Sequence, residues 1–159
     1  MPRSFQGEFD AQGLRFAVIA SRFHEEIVEG LLAGALDCLT SHGTADEAIT
    51  VLRVPGAFEI PTLARMVVAR GGFDAVVTLG CVLRGDTPHF EFIAAQVTVE
   101  LSRVAVDARF PIAFGVITCN TQEQAVERSA RGPSNKGWEA ALAAIEMANL
   151  WRVLRTSEL

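Results

Sequence analysis

The stretch Gly80-Cys81-Val82-Leu83-Arg84-Gly85-Asp86-Thr87-Pro88-His89-Phe90 follows directly on the apolar run Ala75-Val76-Val77-Thr78-Leu79. A buried run that ends in a glycine-bounded turn, then offers Thr, Pro and His before a new helical pattern, describes the carboxyl edge of an α/β sheet. Loops converge at that edge, and the helix that follows presents unpaired N–H groups to anions. The stretch therefore joins an anion cradle to the one side-chain type that titrates near neutrality.

Strand and helix signals alternate on either side of it. Residues 14–20 form an apolar run broken only by Arg15, as in a buried parallel strand. From Glu25 onward, Ile27, Leu31, Ala35, Leu36 and Leu39 share one helical face, which closes at His42-Gly43 with glycine as the stop. Residues 49–54 are the next strand. Val54-Pro55-Gly56 then turns the chain into a helix over 60–68, with Pro61 in the first turn, where a missing N–H is harmless. The third strand is 74–79, followed by a helix over 88–106, and the fourth is 112–118. Thr121-Gln122-Glu123-Gln124 caps a short helix to about residue 131, Gly132-Pro133-Ser134 breaks it, and 136–154 form the last helix. Strands separated by helices of this length make βαβ units, hence an α/β fold with a parallel sheet between helical layers. The expectation is one domain over residues 1–159, with a four-stranded parallel core sheet. Residues 5–9 are expected as an extra strand, in this chain or lent to a neighbour.

Bulk properties narrow the function. A chain of 159 residues buries roughly 70% of its unfolded surface. Half of it is hydrophobic and only 21% is charged, so either both sheet faces are covered or part of the surface meets partner subunits. The net charge of −5 argues against nucleic acid and anionic membrane as partners. The start Met1-Pro2-Arg3-Ser4-Phe5 lacks the apolar region of a secretory signal, and no segment reaches a membrane span of ~20 residues. Cys38, Cys81 and Cys119 are odd in number and form no C-x-x-C pair, against disulfide frameworks and zinc sites. The chain reads as cytoplasmic. Of 14 basic residues only Lys136 is a lysine, which marks a place where a compact ammonium is wanted.

Four turns lie at the ends of the four strands: Ser21-Arg22-Phe23-His24, Val54-Pro55-Gly56-Ala57-Phe58-Glu59, the loop from Gly80 to His89, and Cys119-Asn120-Thr121. A parallel sheet puts all of them on one edge, where their side chains can meet in one pocket. His89 is the proton-transfer candidate, against the plainer reading of a surface histidine in a first helical turn. Gly85, Asp86 and Thr87 tilt the balance, since backbone N–H groups and a Thr hydroxyl suit phosphate oxygens. Asp86 fits only if its carboxylate points away. Arg128 and Lys136 are candidate anion contacts, or a solvated basic helix end. Phe58-Glu59, Phe23 and Phe114 read as site residues or as packing, and Cys81 as a small hydrophobe. His24 and His42 lie at a helix start and a helix end. No P-loop, G-x-G-x-x-G or G-x-S-x-G is present.

Taken in order, these motifs resemble the 6,7-dimethyl-8-ribityllumazine synthase family of riboflavin biosynthesis. The residues carrying the likeness are Ser21-Arg22-Phe23, Val54-Pro55-Gly56-Ala57-Phe58-Glu59-Ile60-Pro61, Arg84-Gly85-Asp86-Thr87-Pro88-His89-Phe90, Phe114-Gly115-Val116-Ile117-Thr118, Glu127-Arg128, Asn135-Lys136-Gly137 and Ala144-Ile145-Glu146-Met147-Ala148-Asn149. The resemblance implies a flavodoxin-like three-layer α/β/α sandwich, a homopentamer or a multiple of pentamers, and active sites between adjacent subunits. It implies a transferase that condenses 5-amino-6-(D-ribitylamino)uracil with 3,4-dihydroxy-2-butanone 4-phosphate, with no cofactor and no metal. Phe23 would stack on the pyrimidine; Ala57, Phe58 and Glu59 would hold the ribityl chain; the backbone of Cys81, Val82 and Leu83 would read the pyrimidine edge. Asp86 and Thr87 would bind the phosphate through main-chain N–H groups, with Arg128 as counter-charge. Phe114 would cover the ring from the neighbouring subunit, Lys136 would lie near the pyrimidine, and His89 would move protons. Riboflavin synthase is the implied protein partner.

Two departures stand out. Residues 129–134 lack the Ala-Gly-Thr-Lys-Ala-Gly run common in the family, although the length is unchanged, and Asp86 replaces a residue that is often small and uncharged. Two other readings are a related riboflavin synthase and a flavin- or lumazine-binding shell protein of the same fold with weakened catalysis.

Overall fold

Strands β1 (Phe16–Ser21), β2 (Ile49–Val54), β3 (Ala75–Leu83) and β4 (Ile112–Cys119) pair in parallel in the order β2-β1-β3-β4. The structure, a computed structural model, describes residues 1–157. Between and after the strands run α1 (Glu25–Ser41), α2 (Ile60–Arg70), α3 (His89–Ala108), α4 (Gln122–Ser129) and α5 (Lys136–Thr156), with short 3-10 turns at Asp46–Ala48 and Ala57–Glu59.

Every residue of β1 is buried, because successive side chains feed opposite faces and both faces are covered. Phe16 and Val18 pack with Leu31 and Leu39 of α1 and Ile145 of α5, while Ala17 and Ile19 pack with Ile60 of α2 and Leu101 of α3. Helices α1, α4 and α5 thus cover one face, and α2 and α3 the other. This is the expected flavodoxin-like sandwich. The strand order reverses between β1 and β3, so the chain opens a crevice beyond their carboxyl ends.

Three local expectations change. The third strand does not stop at Leu79 but continues through Gly80 to Leu83, paired with Gly115–Cys119 of β4 up to Leu83↔Cys119. Gly80 is no turn residue. A Cβ there would lie 3.1 Å from Ile60 Cδ1 and 3.2 Å from Ser21 Oγ, so glycine lets α2 sit close on the sheet. Helix α4 ends at Ser129 rather than near residue 131. Residues 5–9 form no strand with this chain's sheet. They lie along α5: Gln6 Nε2 donates to Glu146 Oε1 at 3.3 Å, and Asn149 Nδ2 donates to the main-chain oxygens of Glu8 at 2.7 Å and Asp10 at 2.8 Å. Gly7 sits against the Glu146 backbone so closely that any Cβ would collide. Among the described residues no helix is long and apolar enough to cross a membrane.

Candidate active site

The first two strand-end turns are joined by main-chain bonds. Arg22 N donates to Val54 O at 2.9 Å and Phe23 N to Pro55 O at 3.0 Å, which holds Phe23 at the mouth of the crevice. Its ring is 67% exposed and meets His24 edge-on, with centroids 4.5 Å apart. Burial pushes the His24 imidazole below its usual pKa. Ala57, Phe58 and Glu59 form the 3-10 turn at the foot of α2, and Phe58 stands 61% exposed. Glu59 Oε2 accepts the Gly56 N–H at 3.0 Å, so the carboxylate is held over the turn by the backbone it caps. Ser21 Oγ, fully buried beneath this turn, has no hydrogen-bond partner among the described residues.

Beyond Leu79 the third strand loses its neighbour on one side. The β1–β3 pairing ends at Ala20↔Leu79, whereas the β3–β4 pairing continues to Leu83. The main chain of Cys81, Val82 and Leu83 therefore turns a free hydrogen-bonding edge toward the crevice. The extension of β3 creates this edge, and a turn beginning at Gly80 would not. Next, Arg84 fastens the loop: its N–H donates to Cys119 O at 2.9 Å, Nε to Asn120 Oδ1 at 2.8 Å and Nη1 to Glu91 Oε1 at 3.2 Å. Its guanidinium also lies over the Phe90 ring, 4.7 Å from the centroid. With the loop held at that point, the amides of Gly85, Asp86 and Thr87 find no main-chain acceptor among the described residues. They precede the N-terminus of α3, where unpaired amides and the helix dipole favour an anion. His89 opens that helix, exposed, with no hydrogen bond to its ring among the described residues.

A second group lies along the open side of β4. Phe114, Thr118, Arg128, Lys136 and Glu139 line a hollow of about 390 Å³. Phe114 pairs in register with Thr78 and points to the α2/α3 face, but no strand lies beyond β4, so the ring stays 49% exposed. Arg128 donates from Nη1 to Gln124 O at 3.1 Å, and Lys136 Nζ to Glu139 Oε2 at 2.9 Å. Thr121 and Gln124 close a capping box that starts α4 and so carries Arg128 to this edge. Sequence reasoning gave Ser21 and Arg84 no role of their own, although both lie in the quoted motifs, and it missed Glu139. For Glu139 the only signal was its i,i+3 spacing from Lys136 on the expected helix.

The structure thus divides the expected site residues. Phe23, Ala57, Phe58, Glu59, Cys81, Val82, Leu83, Asp86, Thr87 and His89 belong to the carboxyl edge, and Phe114, Arg128 and Lys136 to the β4 edge. The hollow that Phe114, Arg128 and Lys136 line takes in none of the carboxyl-edge residues. A larger hollow of about 630 Å³, between α1 and the 129–134 segment, is lined by Gly34, Asp37, Ser129, Arg131, Pro133 and Trp138 among others and holds none of them.

All three thiols are free and buried. Burial pushes Cys38 up to about 12, and burial together with the neighbouring Cys119 pushes Cys81 up to about 12. Cys119 is raised by burial, against the opposing pull of Arg128. Native protein at pH 8 is therefore expected to leave a thiol-specific disulfide reagent almost unreacted, and all three cysteines to react once it is unfolded. Fast labelling of the native protein would contradict this burial. The unfolded chain releases these protons near 9, while the native chain holds those of Cys38 and Cys81 to about 12. Stability should therefore fall as pH rises through that window.

The chain is similar to known proteins over nearly its whole length. A family model described as 6,7-dimethyl-8-ribityllumazine synthase matches residues 13–152. A protein of that name from Aquifex aeolicus is 49% identical over 151 residues, covering 95% of this chain and 98% of the relative. Another from Chlorobaculum tepidum is 47% identical over 152 residues, covering 96% and 98%. With the flavodoxin-like sheet and the motif-bearing turns in place at its carboxyl edge, the chain belongs to the 6,7-dimethyl-8-ribityllumazine synthase family.

Proposed function

We propose that the two groups of residues are halves of one active site, closed where the carboxyl edge of one subunit meets the β4 edge of the next. The observation that carries this reading is the position of Phe114, Arg128 and Lys136. They line a hollow on an edge strand, and among the described residues no further strand stands opposite them. The family reaction needs two substrates held together, and the two groups offer complementary chemistry. The chain is a transferase of riboflavin biosynthesis acting on small molecules.

In this reading Phe23 stacks on the pyrimidine of 5-amino-6-(D-ribitylamino)uracil, and the free main-chain edge of Cys81, Val82 and Leu83 pairs with its polar rim. Ala57, Phe58 and Glu59 hold the ribityl chain, with the carboxylate oxygens of Glu59 accepting its hydroxyls. The amides of Asp86 and Thr87 take the phosphate of 3,4-dihydroxy-2-butanone 4-phosphate. A carboxylate at position 86 is tolerated because only its N–H is used. Arg128 supplies the counter-charge from the β4 edge, Phe114 covers the ring, and Lys136 lies beside the pyrimidine. An amine of the pyrimidine adds to the ketone and water leaves to give an imine. Phosphate is then eliminated, the enol tautomerises, and the second amine closes the ring with loss of a second water. His89 moves protons in these steps. Holding both reactants together contributes about 7–11 kcal/mol, and a positioned acid–base group about 10²–10⁴-fold in rate, so proximity dominates.

A ring of five is the minimal assembly that the family resemblance implies for such a shared site. The apolar side chains on the open β4 side support it: Val106 is 72% and Met147 50% exposed. Residues 5–9 would add as a strand to the neighbour, the chain would act as one domain in the cytoplasm, and riboflavin synthase would receive the product. Supplying both substrates and following lumazine absorbance tests the activity directly. The absence of product from well-assembled protein would favour a shell or binding role instead.

A shared site also predicts complementation. Phe23→Ala should damage the site on its own subunit, and Phe114→Ala the site on its neighbour. Co-refolding the two variants creates interfaces that pair an intact Phe23 with an intact Phe114, so part of the lost activity should return. Ring size is checked by light scattering. If rings of verified mixed composition recover nothing, the two residues serve one subunit's pocket, and a fully active monomer removes the shared site altogether.

A further inference from the structure

Residues 129–134 depart from the run common in the family, yet Arg128 before them and Lys136 after them reach the same hollow. The side chain that closes this segment is Asn135, only 1% exposed. Its Nδ2 donates to the main-chain oxygens of Gly30 at 3.0 Å, Ser129 at 3.0 Å and Ala130 at 3.1 Å. Its Oδ1 accepts the Trp138 N–H at 3.0 Å, capping α5. The main chain joins in, with Asn135 N donating to Gly132 O at 3.2 Å and Glu139 N to Asn135 O at 3.1 Å. One buried amide therefore ties together α1, the end of α4 and the first turn of α5.

The surroundings are built to admit it. A Cβ on Gly34 would collide with the Asn135 side chain, and a Cβ on Gly30 would lie 2.5 Å from Ser129 O. Gly137 is pressed against the Leu31 backbone so that no side chain fits there. Only asparagine brings two N–H donors and one acceptor at this reach: aspartate lacks the donors, serine has one, and glutamine is longer by a methylene.

We infer that Asn135 is a positioning residue for the reaction, acting through Arg128. Its amide holds the carbonyls of Ser129 and Ala130, the two residues after Arg128, and so fixes where α4 ends and where the guanidinium is presented. Residues 130–134 can then differ from the family run without moving Arg128, because the segment is set at its ends. This inference rests on the reading that Arg128 binds the substrate phosphate.

The test compares Asn135→Asp, Arg128→Ala, the double variant and Leu39→Ala with the unaltered assembled protein. Asn135→Asp keeps the α5 cap and the side-chain size but sets a carboxylate oxygen against three carbonyl oxygens. Leu39→Ala, deep on the α1 face, is a control for plain destabilisation. The KM for each substrate, kcat and Tm are measured. Asn135→Asp should raise the KM for the butanone phosphate about 10- to 100-fold, the cost of a misplaced binding group, with a much smaller change for the pyrimidine. Leu39→Ala should lower Tm and leave the KM ratio unchanged. In the Arg128→Ala background Asn135→Asp should add little, because the two residues act as one unit.

Additive effects, or equal rises in both KM values, would overturn the inference. An effect of Arg128→Ala with none from Asn135→Asp would overturn it while leaving the phosphate reading intact. An unchanged KM in Arg128→Ala would overturn that reading and the inference together. Should the aspartate variant not assemble, Asn135→Ser carries the same comparison without an added charge. Failure of both to assemble would make the role purely structural and overturn the inference.

Discussion

Arg128→Ala is expected to raise the KM for 3,4-dihydroxy-2-butanone 4-phosphate about 10- to 150-fold, the range set by a hydrogen bond to a charged group of about 1.5–3 kcal/mol. The KM for the pyrimidine should change by less than about threefold, since a neutral ring gains little from a remote cation. The structure explains why the loss should be large. Arg128 spends one N–H on Gln124 O, which anchors the guanidinium and leaves the rest of its fork for a phosphate. Salt should weaken the unaltered protein's affinity for this substrate more than the variant's, since only the former meets the phosphate with a cation at this position. Arg128→Lys should recover part of the affinity, restoring the charge without the planar fork. Steady-state kinetics with each substrate varied in turn check these outcomes. A rise of the same size for both substrates would sink the assignment.

His89→Ala should slow turnover by about 10- to 10³-fold without abolishing it, with KM values little altered. The reasoning is one of magnitudes: if proximity carries most of the acceleration, removal of the proton carrier leaves a slow enzyme, not a dead one. The exposed first-turn position suits this role, since a ring without intramolecular hydrogen bonds is free to follow the protons between successive steps. A single-turnover measurement with both substrates saturating isolates the chemical step from binding. Complete inactivity in correctly assembled rings would mean that His89 does more than move protons. An unchanged rate would make it an ordinary surface histidine.

Much of this molecule is legible in the chain because the relevant signals are local. The uninterrupted apolar runs at β1 and β3, the amphipathic spacing of α1 and the glycine stop after it dictate buried parallel strands and covering helices. Once the sheet is parallel, Phe23, Phe58, Asp86 and His89 must all stand at its carboxyl edge. Pairings between residues distant in sequence are not legible in this way. Gly80 looks like a turn because glycine often makes one, but here the absent side chain makes room for Ile60 of α2, and the strand runs on. That extension decides which main-chain groups of Cys81, Val82 and Leu83 face the crevice without a partner. Phe114 is part of an apolar run and reads equally as core; only the place of β4 at the sheet edge leaves its ring uncovered. The amide of Asn135 meets Gly30, 105 residues earlier in the chain, an encounter that no local pattern announces. The sequence by itself determines the strands, the helices and the kinds of chemistry their ends carry, because these follow from neighbours a few residues apart. The tertiary structure alone decides which edge each group faces and what holds it there, because those contacts exist only once distant segments are packed together.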